Sequence, residues 1–387
     1  MPELRVQNVR RESAGGSQTL TADFLLGGRK QRVWLRTDDG PISATANPFV
    51  PIALIPAMRR NWGLSIDGGV SSRLLEGADQ VQETLTRWYP RLHRVSIRAA
   101  AEEPRPARQQ RPVALFFSGG VDSFFTLRQH REEITHLIFV HGFDIPLGRR
   151  RERRRMRESI GCLAASLDLQ LVEVDTNLRQ FGQPHVSWPG EYFGAGLAAV
   201  ALLLEPRFER VYLAASVSSE QLQPMGSHPD LDPHWTDGSV RLVHDGLRAT
   251  RFEKVRAIAD WPPVHSHLRV CYQKNARALN CGRCKKCLWT MMILSASGHL
   301  DRIETFATPL DLAALRLYPP VHKYERDRFV EALALLAERD GDPRLRATLQ
   351  AMLDAEGRLP LRGRINRILV RGRNYLAHRF PARRRGE

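Results

Sequence analysis

The sequence is short of several things, and each shortage excludes a class of protein. No apolar run approaches the ~18 residues that a transmembrane helix needs, so a membrane-spanning helix is excluded. The opening MPELRVQNVRRESAGG holds no apolar core of the kind that marks a secretory leader, and the expected location is the cytoplasm. Cysteine is scarce, with five residues in 387, too few for a disulfide scaffold. Lysine is scarcer still in proportion, six of 58 basic residues, and the resulting arginine bias fits codon usage better than function. The net charge of +16 is not spread over the chain. Ten Arg against one Glu in residues 358–387, and seven Arg against one Glu in residues 148–157, carry nearly all of it. The chain thus has two basic patches on a nearly neutral body rather than a basic character throughout, and nucleic acid is a possible but not a favoured partner. What is present is ordinary: 42% hydrophobic and 26% charged residues describe a globular chain, long enough for two or three domains.

Residues 1–100 read as a small mixed, β-rich domain. Thr19–Leu26 and Gln31–Arg36 flank Gly27-Gly28 as a hairpin, Leu74–Trp88 has helical spacing, and Arg94–Arg98 returns as a strand. Residues 101–111, rich in Pro and Arg, read as a linker. From residue 112 the pattern alternates strand and helix. Val113–Phe117, His136–His141, Leu171–Val174 and Val211–Ala215 are short apolar runs, separated by helical stretches, with Leu268–Cys271 expected as a fifth strand. Such repeated βα units predict an α/β fold with a doubly wound, parallel five-stranded sheet over residues 112–270. A cysteine-bearing segment follows at 271–297, then a helical region at 298–357 and a basic amphipathic tail at 358–387.

The most informative stretch is Ser118-Gly119-Gly120-Val121-Asp122-Ser123, set between the first apolar strand and a helix. Two glycines permit a tight turn and close approach of backbone to a ligand. The helix that follows presents unpaired N–H groups and its positive dipole end, which suits an anion. Ser118 and Ser123 add hydroxyl donors and Asp122 is a helix cap candidate, while the Gly-Lys-Ser/Thr of ordinary NTPase loops is missing. Further on, Cys271, Cys281, Cys284 and Cys287 offer four thiols, the number a tetrahedral zinc takes. Gly282 permits a knuckle, and Arg283, Lys285 and Lys286 would offset the thiolate charge. An iron–sulfur cluster, a redox dithiol and unligated cysteines are the other readings of this spacing. Cys162, on an apolar helix face, reads as core.

The loop resembles the pyrophosphate loop of the ATP pyrophosphatase superfamily, whose members belong to the adenine nucleotide alpha hydrolase-like (HUP) folds. Loop and cysteine set together resemble the 7-cyano-7-deazaguanine synthase family over about residues 112–297. That resemblance implies cleavage of ATP between its α and β phosphates, with Mg²⁺ as the polyphosphate's counter-ion and a structural Zn²⁺. It implies adenylation of a carboxylate and its transfer to ammonia or an amine. Residues 118–123 would hold the nucleotide, with Phe143 and Asp144 of His141-Gly-Phe143-Asp144 near the adenine. Arg251 and Lys254 of Thr250-Arg251-Phe-Glu-Lys254 would face the phosphates. The stretch from Gly226 to Trp235, with Pro229, Asp230 and Pro233, resembles the family's substrate loop. Its His228, Asp230, Asp232 and His234 could hold Mg²⁺, position a carboxylate or act as a base; a plain Pro-bounded turn is the other reading, and His228 and Asp230 are candidate catalytic groups. Trp188–Ala195 stands where the family has Pro-x-Arg-Asn, so a different, small or carrier-bound carboxylate is expected.

Two other readings of the same residues are tRNA modification by adenylation, and a non-catalytic, zinc-stabilised nucleotide-binding module. The Arg149–Arg157 run reads as a solvated helix face or a grip on RNA or an acidic substrate, and the tail as a peripheral membrane, RNA or self-docking helix.

Overall fold

The computed structural model describes residues 2–103, 110–271 and 278–355. The basic tail, and most of the expected linker, lie outside the described residues. Ten strands form one sheet: β1 Glu3–Ala14, β2 Ser17–Leu26, β3 Arg29–Thr37, β4 Gly63–Ser71, β5 Ile97–Glu102, β6 Val113–Phe116, β7 Ile134–His141, β8 Gln170–Thr176, β9 Arg210–Ala214 and β10 Arg241–Asp245. The α-helices, in chain order, are α1 Phe49–Arg60, α2 Ser72–Trp88, α3 Val121–Gln129, α4 Arg150–Ser166, α5 Leu178–Gly182, α6 Phe193–Leu203, α7 Arg251–Ala259, α8 Pro262–His267, α9 Lys285–Ala296, α10 Leu312–Leu315, α11 Lys323–Glu338 and α12 Pro343–Asp354. They fall into two compact units. Of the described residues, those within 2–118, 126–215 and 222–247 make one unit, which holds the sheet, and those within 119–125, 216–221 and 248–355 make the other.

In the first unit the strand order is β10-β9-β6-β7-β8-β3-β2-β1-β4-β5. The sheet is therefore ten-stranded, not five-stranded as expected. Within it, β10, β9, β6, β7 and β8 form a continuous parallel run. The extension begins where β3 pairs antiparallel with β8 over only Leu35↔Thr176 and Arg36↔Asp175. Side chains lengthen that short ladder. Thr176 Oγ1 donates to Trp34 O at 2.7 Å, Asn177 Oδ1 accepts from Trp34 N at 3.0 Å, and Asn177 Nδ2 donates to Arg32 O at 2.9 Å. The hairpin of β2 and β3 forms as expected around Gly27-Gly28, both at positive φ, which a two-residue primed turn requires. Helix α1, buried from Phe49 to Met58, and the Leu-, Ala- and Val-rich α6 supply much of the core.

The fifth parallel strand is β10, not Leu268–Cys271. In the second unit that segment makes no ladder, because the carboxamide of Asn280 takes the place of a neighbouring strand. Its Oδ1 accepts from Val270 N (2.7 Å) and Cys271 N (3.1 Å), and its Nδ2 donates to Leu268 O (2.7 Å). Beyond residue 285 the described chain is mainly helical, with α11 packed on α12, α9 and α7.

Candidate functional site

Strand β6 lies between β7, which follows it in the chain, and β9, which comes later, so the strand order reverses beside it. Open parallel sheets bind ligands outside the carboxyl ends of strands at such a switch point. The carboxyl end of β6 leads through Phe117 and Ser118 into the glycine loop, and Phe117 N donates to Ile138 O at 2.9 Å. Gly119 adopts φ +75°, the left-handed region that glycine tolerates best.

Within the second unit the loop runs directly into α3, whose first turn carries Asp122. Ser123 Oγ donates to Gly120 O at 3.0 Å, so this hydroxyl ties down the turn. Asp122 does not act as the helix cap expected. Its carboxylate accepts from Arg251 Nη1 at 2.5 Å and lies 3.9 Å from Lys254 Nζ. Lys254 is 1% exposed, a cation held inside the unit by the rest of α7. That helix is started firmly by a reciprocal capping box between Thr250 and Glu253. A third cation, Arg328 of α11, was not foreseen. Burial lowers its pKa first, and the nearby Arg251 charge lowers it further, against the opposing pull of Glu325, Tyr324 and Asp122. Arg251 and Lys254 thus converge on one carboxylate, an arrangement that favours a further anion.

The loop is also tied to the cysteine centre. Arg269 N donates to Gly119 O at 2.7 Å, and two residues later the chain reaches Cys271. The sulfurs of Cys271, Cys281, Cys284 and Cys287 all lie within 4.8 Å of one another. Three pairs stand at 4.0, 3.9 and 3.5 Å. Tetrahedral zinc at ~2.3 Å from each sulfur would set them about 3.8 Å apart, so the four fit one ion. They could hold a metal such as zinc. Hydrogen bonding with Cys271 raises the Cys284 pKa to about 11, and the same neighbour, with Cys284 itself, pushes Cys287 up as well. Crowded thiols resist losing protons, and a divalent cation reverses that resistance.

Gly282 sits at φ +71°, and a Cβ there would lie 2.3 Å from Thr308 Oγ1, so the knuckle requires glycine. Cys284 is the residue before α9, which turns that helix's positive end toward the sulfurs. Arg283 N reaches Cys281 Sγ at 3.5 Å. Lys285, by contrast, pairs with Glu325 at 2.6 Å and lies over the Trp289 ring. Burial opposes ionisation of Glu325, but Lys285 and the backbone amides of Val321 and His322 prevail and lower its pKa.

The remaining expected residues belong to the first unit. Phe143 is 4% exposed, with its ring 4.9 Å from that of Trp188, whereas Asp144 is exposed. His228 is buried edge-on to Trp88, and burial lowers its pKa; Asp230 is 61% exposed. Asp232 is fully buried, accepts from Ser227 Oγ at 2.8 Å and meets His244 Nδ1 at 2.7 Å. His244, on β10, was missed with its strand. This contact fixes the orientation of the imidazole and leaves Nε2 as its second nitrogen. The Trp188–Tyr192 turn is structural: Glu191 accepts from Ser187 N and pairs with Arg91, both at 2.7 Å. Cys162, expected in the core, is exposed. No helix among the described residues is long and apolar enough to cross a membrane. No family model, curated protein or solved structure matches this chain.

Proposed function

We propose that the protein is an ATP-dependent, AMP-forming ligase that joins a carboxylate to ammonia or an amine. The observation that carries this reading is the glycine loop at the head of α3 with Arg251 and buried Lys254 converging on its Asp122. A polyphosphate laid on the loop amides would meet those cations, and Mg²⁺ would supply the charge neutralisation that they do not. The substrate carboxylate oxygen attacks the α-phosphorus, the bond to the α–β bridging oxygen breaks, and pyrophosphate leaves. Arg251 and Lys254 stabilise the charge that develops on that leaving group. The amine nitrogen then attacks the acyl carbon, AMP departs with the bonding electrons, and the ammonium proton passes to a base.

The cysteine centre is structural, since four thiolates leave a tetrahedral ion no open position. ATP–pyrophosphate exchange tests the proposal. Zinc-loaded protein, given a panel of carboxylates, should return label to ATP with at least one of them. Lys254→Met should lower the rate about a hundredfold, the usual scale for removing one stabiliser of developing charge. Exchange unaffected by Lys254→Met would overturn the assignment.

A further inference from the structure

The arginine run that opens α4 is neither a free solvated face nor a uniform tract. Four of its members, at 150, 153, 154 and 157, recur at helical spacing and line one cavity of about 330 Å³. The opposite wall is the sheet. His141 on β7, Glu173 and Asp175 on β8, and Arg36 on β3 reach the same space. Register explains the convergence, because His141 pairs with Asp175 and Asp175 with Arg36 across neighbouring strands.

The acidic groups of this wall are already engaged. Asp175 pairs with Arg36 at 2.8 Å and also with Arg153, while Glu173 pairs with Arg157 at 2.5 Å and His141 at 2.7 Å. Asp38, the third carboxylate of the lining, accepts from Ser17 Oγ at 2.5 Å. Five guanidiniums against three carboxylates leave an excess of two positive charges in the cavity. Arg36, Arg153 and Arg157 share Asp175 and Glu173, whereas Arg150 and Arg154 have no ion-pair partner among the described residues. Arg153 Nε and His141 Nδ1 are buried there without a hydrogen-bond partner among the described residues.

We propose that this cavity is a binding site for a phosphorylated small molecule, gripped by the guanidinium forks of Arg150 and Arg154. The two side chains stand one helical turn apart and can take adjacent faces of one tetrahedral anion, for which the planar fork is the best protein donor. The paired guanidiniums around Glu173 and Asp175 hold the wall rigid and keep its net charge positive. The volume lies at the lower end of small-ligand sites, and the concave shape suits a compact anion better than a nucleic-acid backbone. The site involves no residue of the glycine loop, so it stands or falls apart from the ligase reading.

Calorimetric titration of the full chain with pyrophosphate tests it, alongside Arg150→Ala/Arg154→Ala. Both residues are exposed, so the variant should keep the wild-type melting temperature. Wild type should show a binding component that weakens at least about a hundredfold in the variant, roughly tenfold per guanidinium lost. Any component contributed by the glycine loop would persist in that variant and fall in Arg251→Ala. Three results would overturn the proposal: no pyrophosphate binding by wild type, an unchanged isotherm in the double variant, or binding of RNA with no small anion bound.

Discussion

Replacing Asn280 by alanine should break the link between the glycine loop and the cysteine centre. The residue is fully buried, and its side chain makes four hydrogen bonds: with Val270 N, Cys271 N, Leu268 O and, at 2.9 Å, Thr305 Oγ1. The Thr305 hydroxyl can rotate to a new partner, but two amides and a carbonyl cannot. Each buried group left unsatisfied costs about 1–3 kcal/mol, so the three together cost about 3–9 kcal/mol before relaxation. Water entering the vacated space relieves part of this, leaving an expected loss of roughly 3–5 kcal/mol. Urea denaturation of the metal-loaded protein measures it. Hydrogen exchange at the amides of residues 269–271 should accelerate in parallel. Thr305→Val, which leaves only one N–H of the carboxamide unsatisfied, should cost about 1–3 kcal/mol, less than Asn280→Ala. A loss below about 1 kcal/mol in Asn280→Ala, with exchange unchanged, would refute the role assigned to this carboxamide.

Metal analysis of purified protein should find one divalent ion per chain, and Cys287→Ser should lower that stoichiometry and the melting temperature together. Gly282→Ala should destabilise by roughly 1–3 kcal/mol through its positive φ and the contact with Thr308. Adding Thr308→Ala should recover only the steric part in the same denaturation experiment. Burial, with the Arg60 charge, lowers the His185 pKa to about 4 from an ordinary 6.5. The folded protein therefore holds His185 neutral where the unfolded chain protonates it. Its contribution to stability is present above pH 6.5 and lost as pH falls toward 4. His185→Gln should flatten the fall of the urea midpoint over that window.

Local signals carried the parallel run well. Apolar strands, a Gly-Gly turn between β2 and β3, and the loop-to-helix junction at Ser118 are all written in adjacent residues. What was not legible depends on partners far along the chain. Leu268–Cys271 has a strand's composition, but Asn280 satisfies its backbone, and only the folded chain reveals that. Strand β1 buries little beyond Leu4 and Val6, so its polar sequence gave no alternation to read. The joining of two sheet halves rests on two residue pairs and the side chains of Thr176 and Asn177, too little to leave a periodic trace. Among site residues, Arg251 and Lys254 were visible through their place in a motif, and the four cysteines through their spacing. His244 and Arg328 belong to no motif and enter the clusters only through tertiary packing. The arginine run was legible as charge, but not as one wall of a cavity whose other wall is β3, β7 and β8.

The central claim concerns which phosphate bond of ATP is broken. Phosphorus NMR of a reaction containing an accepted carboxylate and ammonia reports this directly. The account predicts AMP and pyrophosphate in equal amounts, with one oxygen of an ¹⁸O-labelled carboxylate appearing in the AMP. ADP and inorganic phosphate as products, or AMP without the label, would contradict it.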